Sequence, residues 1–130
     1  MEINNRKVVI NKETIDKIAK ELSKDNGNKI KAGYLTGTIK SDKIIVEGVY
    51  VPKQESNEVL TTISSEEESR AFADIKNHGK SGVGFAQYHS LYPVYESATT
   101  RMSREQLAQR RKLPNLCLVV NQKRDYGIFK

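Results

Sequence analysis

The chain has 130 residues, a formal net charge of +6, 37% hydrophobic residues and 29% charged ones. That length suits one domain, residues 1–130, with its own core, and the composition lacks the Pro, Ser or Gln bias of a disordered chain. No apolar run reaches the roughly 18 residues of a membrane-spanning helix, and Met1-Glu2-Ile3-Asn4-Asn5-Arg6 has no signal-peptide apolar stretch, so a cytoplasmic protein without a membrane partner is expected.

Arg6 to Ile10 reads as a short strand. Asn11 can then cap a helix over about 12–24, because Ile15, Ile18, Ala19 and Leu22 recur at i, i+3, i+4 and i+7. Asp25-Asn26-Gly27-Asn28 ends it. Ile30 to Thr38 and Lys43 to Val51 read as a hairpin through Lys40-Ser41-Asp42, closed by Pro52. Glu58 to Ile63 predicts a short strand, and Ser65 with Glu68 a capping box for a second helix over about 66–77.

Val83 to Ser90 reads as a strand and Leu91 to Thr100 as a loop. Ser103 is a cap for a third helix holding Leu107 and broken before Pro114. Leu116 to Asn121 and Asp125 to Phe129 form a last hairpin. The lone Cys117 lies in an apolar run and is expected to be a buried small hydrophobe. The element order predicts an α/β (α+β layered) domain, with a mixed, mostly antiparallel sheet flanked by about three helices.

Ala32-Gly33-Tyr34-Leu35-Thr36-Gly37, followed by Ile44 to Gln54, resembles the first hairpin of the JAB/MPN (JAMM) family. A second block, Gly84-Phe85-Ala86-Gln87-Tyr88-His89, then seven residues to Ser97 and two more to Thr100, aligns without a gap on that family's zinc motif. The resemblance covers residues 30 to 130. It implies an MPN-like fold, and it places the family's zinc histidines on Gln87 and His89, its oxyanion serine on Ser97, its zinc aspartate on Thr100 and its general-base glutamate on Ile30.

Only His89 and Ser97 keep the family's residue type. Zinc catalysis needs three good protein ligands and an open position for water, and Ile30 cannot accept a proton from that water. The expectation is therefore a pseudoenzyme without catalytic residues, metal or cofactor, in which Ile30, Gln87, His89, Ser97 and Thr100 mark a vestigial site. His89 is expected to be a core or cleft histidine and Ser97 a helix cap. The minor alternative is a metallopeptidase with a site rebuilt from His78, Asp74, Glu96 or Glu47. Gly33, Gly37, Gly82 and Gly84 read as close-packing or turn positions.

Family members without the ligands are structural subunits that pair with other MPN proteins. The resemblance therefore implies a scaffold or interaction module whose partner is another protein, an MPN-type subunit or a second copy of this chain. Candidate partner-binding residues are Leu91, Tyr92, Val94 and Tyr95, aliphatic and aromatic side chains around Pro93, together with the helix faces at about 12–24 and 102–111. The alternative is a basic module binding RNA or DNA through Arg101, Arg104, Arg110, Arg111 and Lys112, since positions 101, 104, 108 and 111 share a helix face.

Overall fold

A computed structural model describes residues 1–24, 27–57, 61–90 and 93–130. The described elements are β1 (Glu2–Ile3), β2 (Arg6–Val9), α1 (Lys12–Ser23), β3 (Lys31–Ile39), β4 (Lys43–Tyr50), β5 (Glu55–Ser56), β6 (Thr61–Thr62), α2 (Ser65–Asn77), β7 (Ser81–His89), α3 (Ala98–Arg111), β8 (Cys117–Asn121) and β9 (Tyr126–Phe129). Seven strands form one sheet in the order β1-β2-β4-β3-β7-β8-β9, and β5 pairs with β6 alone. The β2/β4 and β7/β8 pairings are parallel and the other four in the large sheet antiparallel. This is the expected layered α+β class.

Each helix covers a face that the sequence makes apolar. In α1, Asn11 accepts a hydrogen bond from the Thr14 amide, and Ile15, Ile18, Ala19 and Leu22 turn inward onto Leu35, Ile44, Val46, Val83 and Leu118. Burying each large aliphatic side chain there contributes about 1.5–3 kcal/mol. On the opposite face α2 and α3 bring Ala71, Ile75 and Leu107 over Tyr34, with Phe72 4.8 Å from the Tyr34 ring.

A bulge sets which side chains reach that second face. Between Leu35 and Thr36 the β3/β7 register slips, Leu35 facing Gly84 and Thr36 facing Gly82, so Val83 is the extra residue. A bulge reverses the alternation beyond it. Val83 packs on the α1 side and Phe85 on the α2 side, which sends Gln87 and His89 the same way as Phe85. Gly84 absorbs the distortion at φ +155°. The four glycines expected at close-packing positions have no room for a side chain: a Cβ at Gly33, Gly37, Gly82 or Gly84 would meet a neighbour at 2.7, 1.8, 2.6 or 2.7 Å.

Some sequence expectations shift. The cap of α2 is Ser64, accepting from the Glu67 amide, one residue before the expected capping box. Helix α3 begins at Ala98 and is capped by Ser97, as expected of that serine, so the cap expected at Ser103 falls inside the helix. Of the strand expected at Glu58 to Ile63, Glu58, Val59 and Leu60 lie outside the described residues and Thr61–Thr62 forms β6. The strand β1 has no counterpart in the expected elements.

Candidate functional site

The five positions that the family resemblance singles out come together. Ile30 lies just before β3 and Ala32 and Tyr34 follow it on the same face, while β7 supplies Phe85, Gln87 and His89 from the adjoining strand, with Ala32 opposite Gln87 and Tyr34 opposite Phe85. Ser97, at the start of α3, and Thr100, in its first turn, reach the same place. These residues line a cleft of about 650 Å³, walled on its other sides by Thr61, Thr62 and Ile63, by Tyr95, and by Gln106 and Arg110 of α3.

Across its floor runs a chain of neutral hydrogen bonds. The Thr100 hydroxyl donates to Gln87 Oε1 at 2.7 Å, and the Ser97 hydroxyl donates to Thr100 Oγ1 at 3.0 Å while accepting from the Thr100 amide. Gln87 and Thr100 are buried and satisfy each other, as buried polar groups must. Where the resemblance implies two zinc ligands, the amide and hydroxyl are thus in direct contact, with no charge between them.

Zinc does not fit this donor set. An amide and a hydroxyl bonded to each other leave only the His89 imidazole, and a zinc site requires more. The residues considered for a rebuilt site are committed elsewhere. Asp74 accepts from the Tyr50 hydroxyl at 2.6 Å, Glu47 is bound by Lys80 and Thr38, Glu96 pairs with Arg104, and His78 Nδ1 lies 2.8 Å from the Asp74 carbonyl. Among the described residues no group of three or more His, Cys, Asp or Glu side chains is arranged to hold a metal ion. After loading with zinc and dialysis, elemental analysis is expected to find no stoichiometric metal. One retained equivalent that disappears in His89→Ala would contradict this.

Burial holds the His89 imidazole below its ordinary pKa and keeps it neutral. The unfolded chain, with its histidine near the ordinary value of about 6.5, then binds a proton that the folded protein resists. Stability is expected to fall as pH drops below about 6.5, a window in which carboxylates stay largely ionised. Urea titrations between pH 7 and 5 should show that slope, and His89→Gln should flatten it; an unchanged slope would remove His89 as its source.

One end of the cleft is charged. Glu68 of α2, whose side chain is 12% exposed, receives Arg110 through Nε at 3.1 Å and Nη2 at 2.6 Å, and Arg111 through Nε at 2.9 Å. Burial alone would raise the Glu68 pKa, but the hydrogen bonds and charges of the two arginines outweigh it and hold the carboxyl below its usual range. Arg111 also donates to Ser69 and lies over the Phe72 ring at 4.9 Å.

At the neighbouring loop sits a buried ion pair. Arg104 donates through Nη2 to Glu96 Oε1 at 3.0 Å and through Nε to Oε2, and its Nη1 reaches the Asn115 side chain and carbonyl. The side chains are 2% and 5% exposed. This corrects the expected basic stripe: Arg104 belongs to the interior and cannot meet a nucleic acid. Arg110 and Arg111 are held by Glu68 and Arg101 lies beside Glu105, while Lys112 is exposed at the left-handed cap of α3.

Of the partner-binding candidates, Tyr95 is 55% exposed and lines the cleft, and Val94 is half-buried. Leu91 and Tyr92 lie outside the described residues. The sequence reading missed Tyr34, Thr61, Thr62 and Gln106 as cleft residues, and gave Glu68 only a capping role. It also gave no role to Gln54, whose amide accepts from the Ala32 N–H and donates to the Ala32 carbonyl, extending the ladder beside β3 past the end of β4.

No family model and no curated protein matches the chain. Among solved structures, protein DSY2949 from Desulfitobacterium hafniense is similar in fold, with a TM-score of 0.67 over 93% of this chain and 80% of that one, at 16% identity. At that identity the likeness is one of fold. No helix among the described residues is long and apolar enough to cross a membrane.

Proposed function

We propose that this chain is a non-catalytic MPN-like domain that binds another protein, an MPN-type subunit or a second copy of itself, by holding a segment of it in the cleft. One observation carries the reading. The five positions that align with the family's catalytic residues surround a single cleft of about 650 Å³, and three of them, Gln87, Thr100 and Ser97, are bonded to one another in neutral pairs. Such a cleft has the volume of a ligand site and offers hydroxyl and amide groups over an apolar base of Ile30, Ala32, Phe85 and Leu107. It has neither the base nor the ligand set for peptide hydrolysis at a metal. The exposed Tyr95 at its rim is an aromatic anchor of the kind that concentrates binding energy.

A photo-crosslinking residue at Thr99, on the cleft rim, tests this in the native source against the same residue at Lys20, on the exposed face of α1. A specific protein adduct from Thr99 that Tyr95→Ala diminishes is expected. Adducts from Lys20 alone would move the interface to α1, and none from either position would remove the binding role.

A further inference from the structure

The charges at the cleft do not balance. Among the described residues its lining carries two ionised side chains, Glu68 and Arg110, yet Glu68 is already engaged by a second guanidinium, that of Arg111. One carboxylate thus serves two cations and one positive charge is left over. The two arginines are not equivalent. Arg111 is 28% exposed, bonded to Ser69 and stacked on Phe72, so it is fixed beside Glu68. Arg110 is 52% exposed and faces the cleft. If Arg110 turns from Glu68 to a ligand, Glu68 keeps Arg111 and is not left as a buried unpaired charge, the arrangement that would otherwise forbid the movement.

We propose that the cleft takes a ligand bearing a free carboxylate, which the Arg110 guanidinium binds at the Glu68 end while the rest of the ligand lies along Thr100 and Gln87. This rests on the reading of the cleft as a site for a protein segment and names the chemistry of that segment. A planar guanidinium presents two parallel N–H donors that match a carboxylate. The surplus of a single positive charge also suits a monoanion rather than a phosphate group, which carries close to two negative charges. Within a protein segment the carboxylate has two sources, the α-carboxylate of a chain end and an Asp or Glu side chain.

Three peptides distinguish them: acetyl-Leu-Ala-Leu-Gly as the free acid, the same peptide as its C-terminal amide, and acetyl-Leu-Asp-Leu-Gly-amide. Each is titrated into the full 130-residue chain, uniformly labelled with ¹⁵N, and followed by amide chemical shifts. At least one anionic peptide should bind roughly tenfold or more tightly than the neutral amide and shift the amides of Arg110, Glu68 and Gln87. The tighter of the two identifies the source. Arg110→Gln should abolish the preference, and because Arg110 is exposed and Glu68 retains Arg111, the fold should survive. Glu68→Gln, which releases both arginines, should tighten the anionic peptides and leave the neutral one unchanged.

If all three peptides bind the cleft equally, or if Arg110→Gln keeps the preference, the carboxylate assignment fails and the cleft reading stands. If no peptide shifts the cleft resonances, both fail.

Discussion

Glu96→Ala is expected to destabilise the protein by about 3–5 kcal/mol, because it leaves the Arg104 guanidinium buried without its counter-charge. The pair is almost fully removed from solvent, and Arg104 also carries Asn115, so the loss reaches three segments at once. Arg104→Ala should cost a similar amount for the mirror-image reason. The double replacement Glu96→Leu with Arg104→Met removes both charges and keeps most of the volume, so it should lie much nearer to the parent than either single alanine variant. Urea unfolding of the four proteins decides it, and a loss below about 1 kcal/mol in both single variants would show that the pair is solvated in solution. Glu96 immediately precedes Ser97, so Glu96→Ala should also loosen the Ser97–Thr100–Gln87 chain.

Gly84→Ala is expected to cost about 3 kcal/mol or more, combining strain at an unusual backbone angle with overpacking against a fixed neighbour. The added Cβ would stand 2.7 Å from the Leu116 carbonyl oxygen and 3.0 Å from the Leu116 Cβ, at φ +155°. Relief would require moving β8, which is buried along its whole length. Gly79→Ala supplies the comparison: it has positive φ, +72°, but nothing within 4 Å of the new methyl, so it should lose only the conformational cost of about 1–2 kcal/mol. Equal losses in the two variants would show that the contact with Leu116 relaxes freely. Because the bulge at this glycine sends Phe85, Gln87 and His89 to one face, the surviving folded fraction should also show altered cleft resonances.

The parts of the fold that the sequence announced are those in which core contact and local pattern coincide. Helix α1 has an asparagine cap and an unbroken apolar stripe, and the β3–β4 hairpin has two long, apolar-rich strands around a polar turn, so both stand close to where they were expected. Helix α3 starts four residues before the expected 102–111 segment because its inward-facing residues are Thr100, Arg104 and Leu107. Two of those three are polar, and the groups that satisfy them, Gln87, Glu96 and Asn115, come from other segments. A hydrophobic period cannot report a helix that is buried through hydrogen bonds. The same fact hid Arg104, which has the residue type of a solvated face and the environment of a core. For α2, Ser64 and Ser65 both precede a glutamate by three, and only the geometry chooses between them. The five positions of the resemblance could be picked out as a group because they follow a spacing, whereas Thr61, Thr62 and Gln106 belong to no motif and reach the cleft through tertiary packing.

The walls of the cleft differ in how far they can move. Strand β3 is hydrogen-bonded on both flanks, to β4 and β7, and its amides can exchange with solvent only when much of the sheet comes apart. The facing wall is the two-residue ladder of β5 and β6, held to the body by the Gln54 amide, the Thr61 hydroxyl and the bond from the Ile30 amide to the Asn57 carbonyl. A hairpin that small has little cooperativity of its own. The amides of β5 and β6 are therefore expected to exchange much sooner than those of β3, so that one wall of the cleft is compliant and the other stiff.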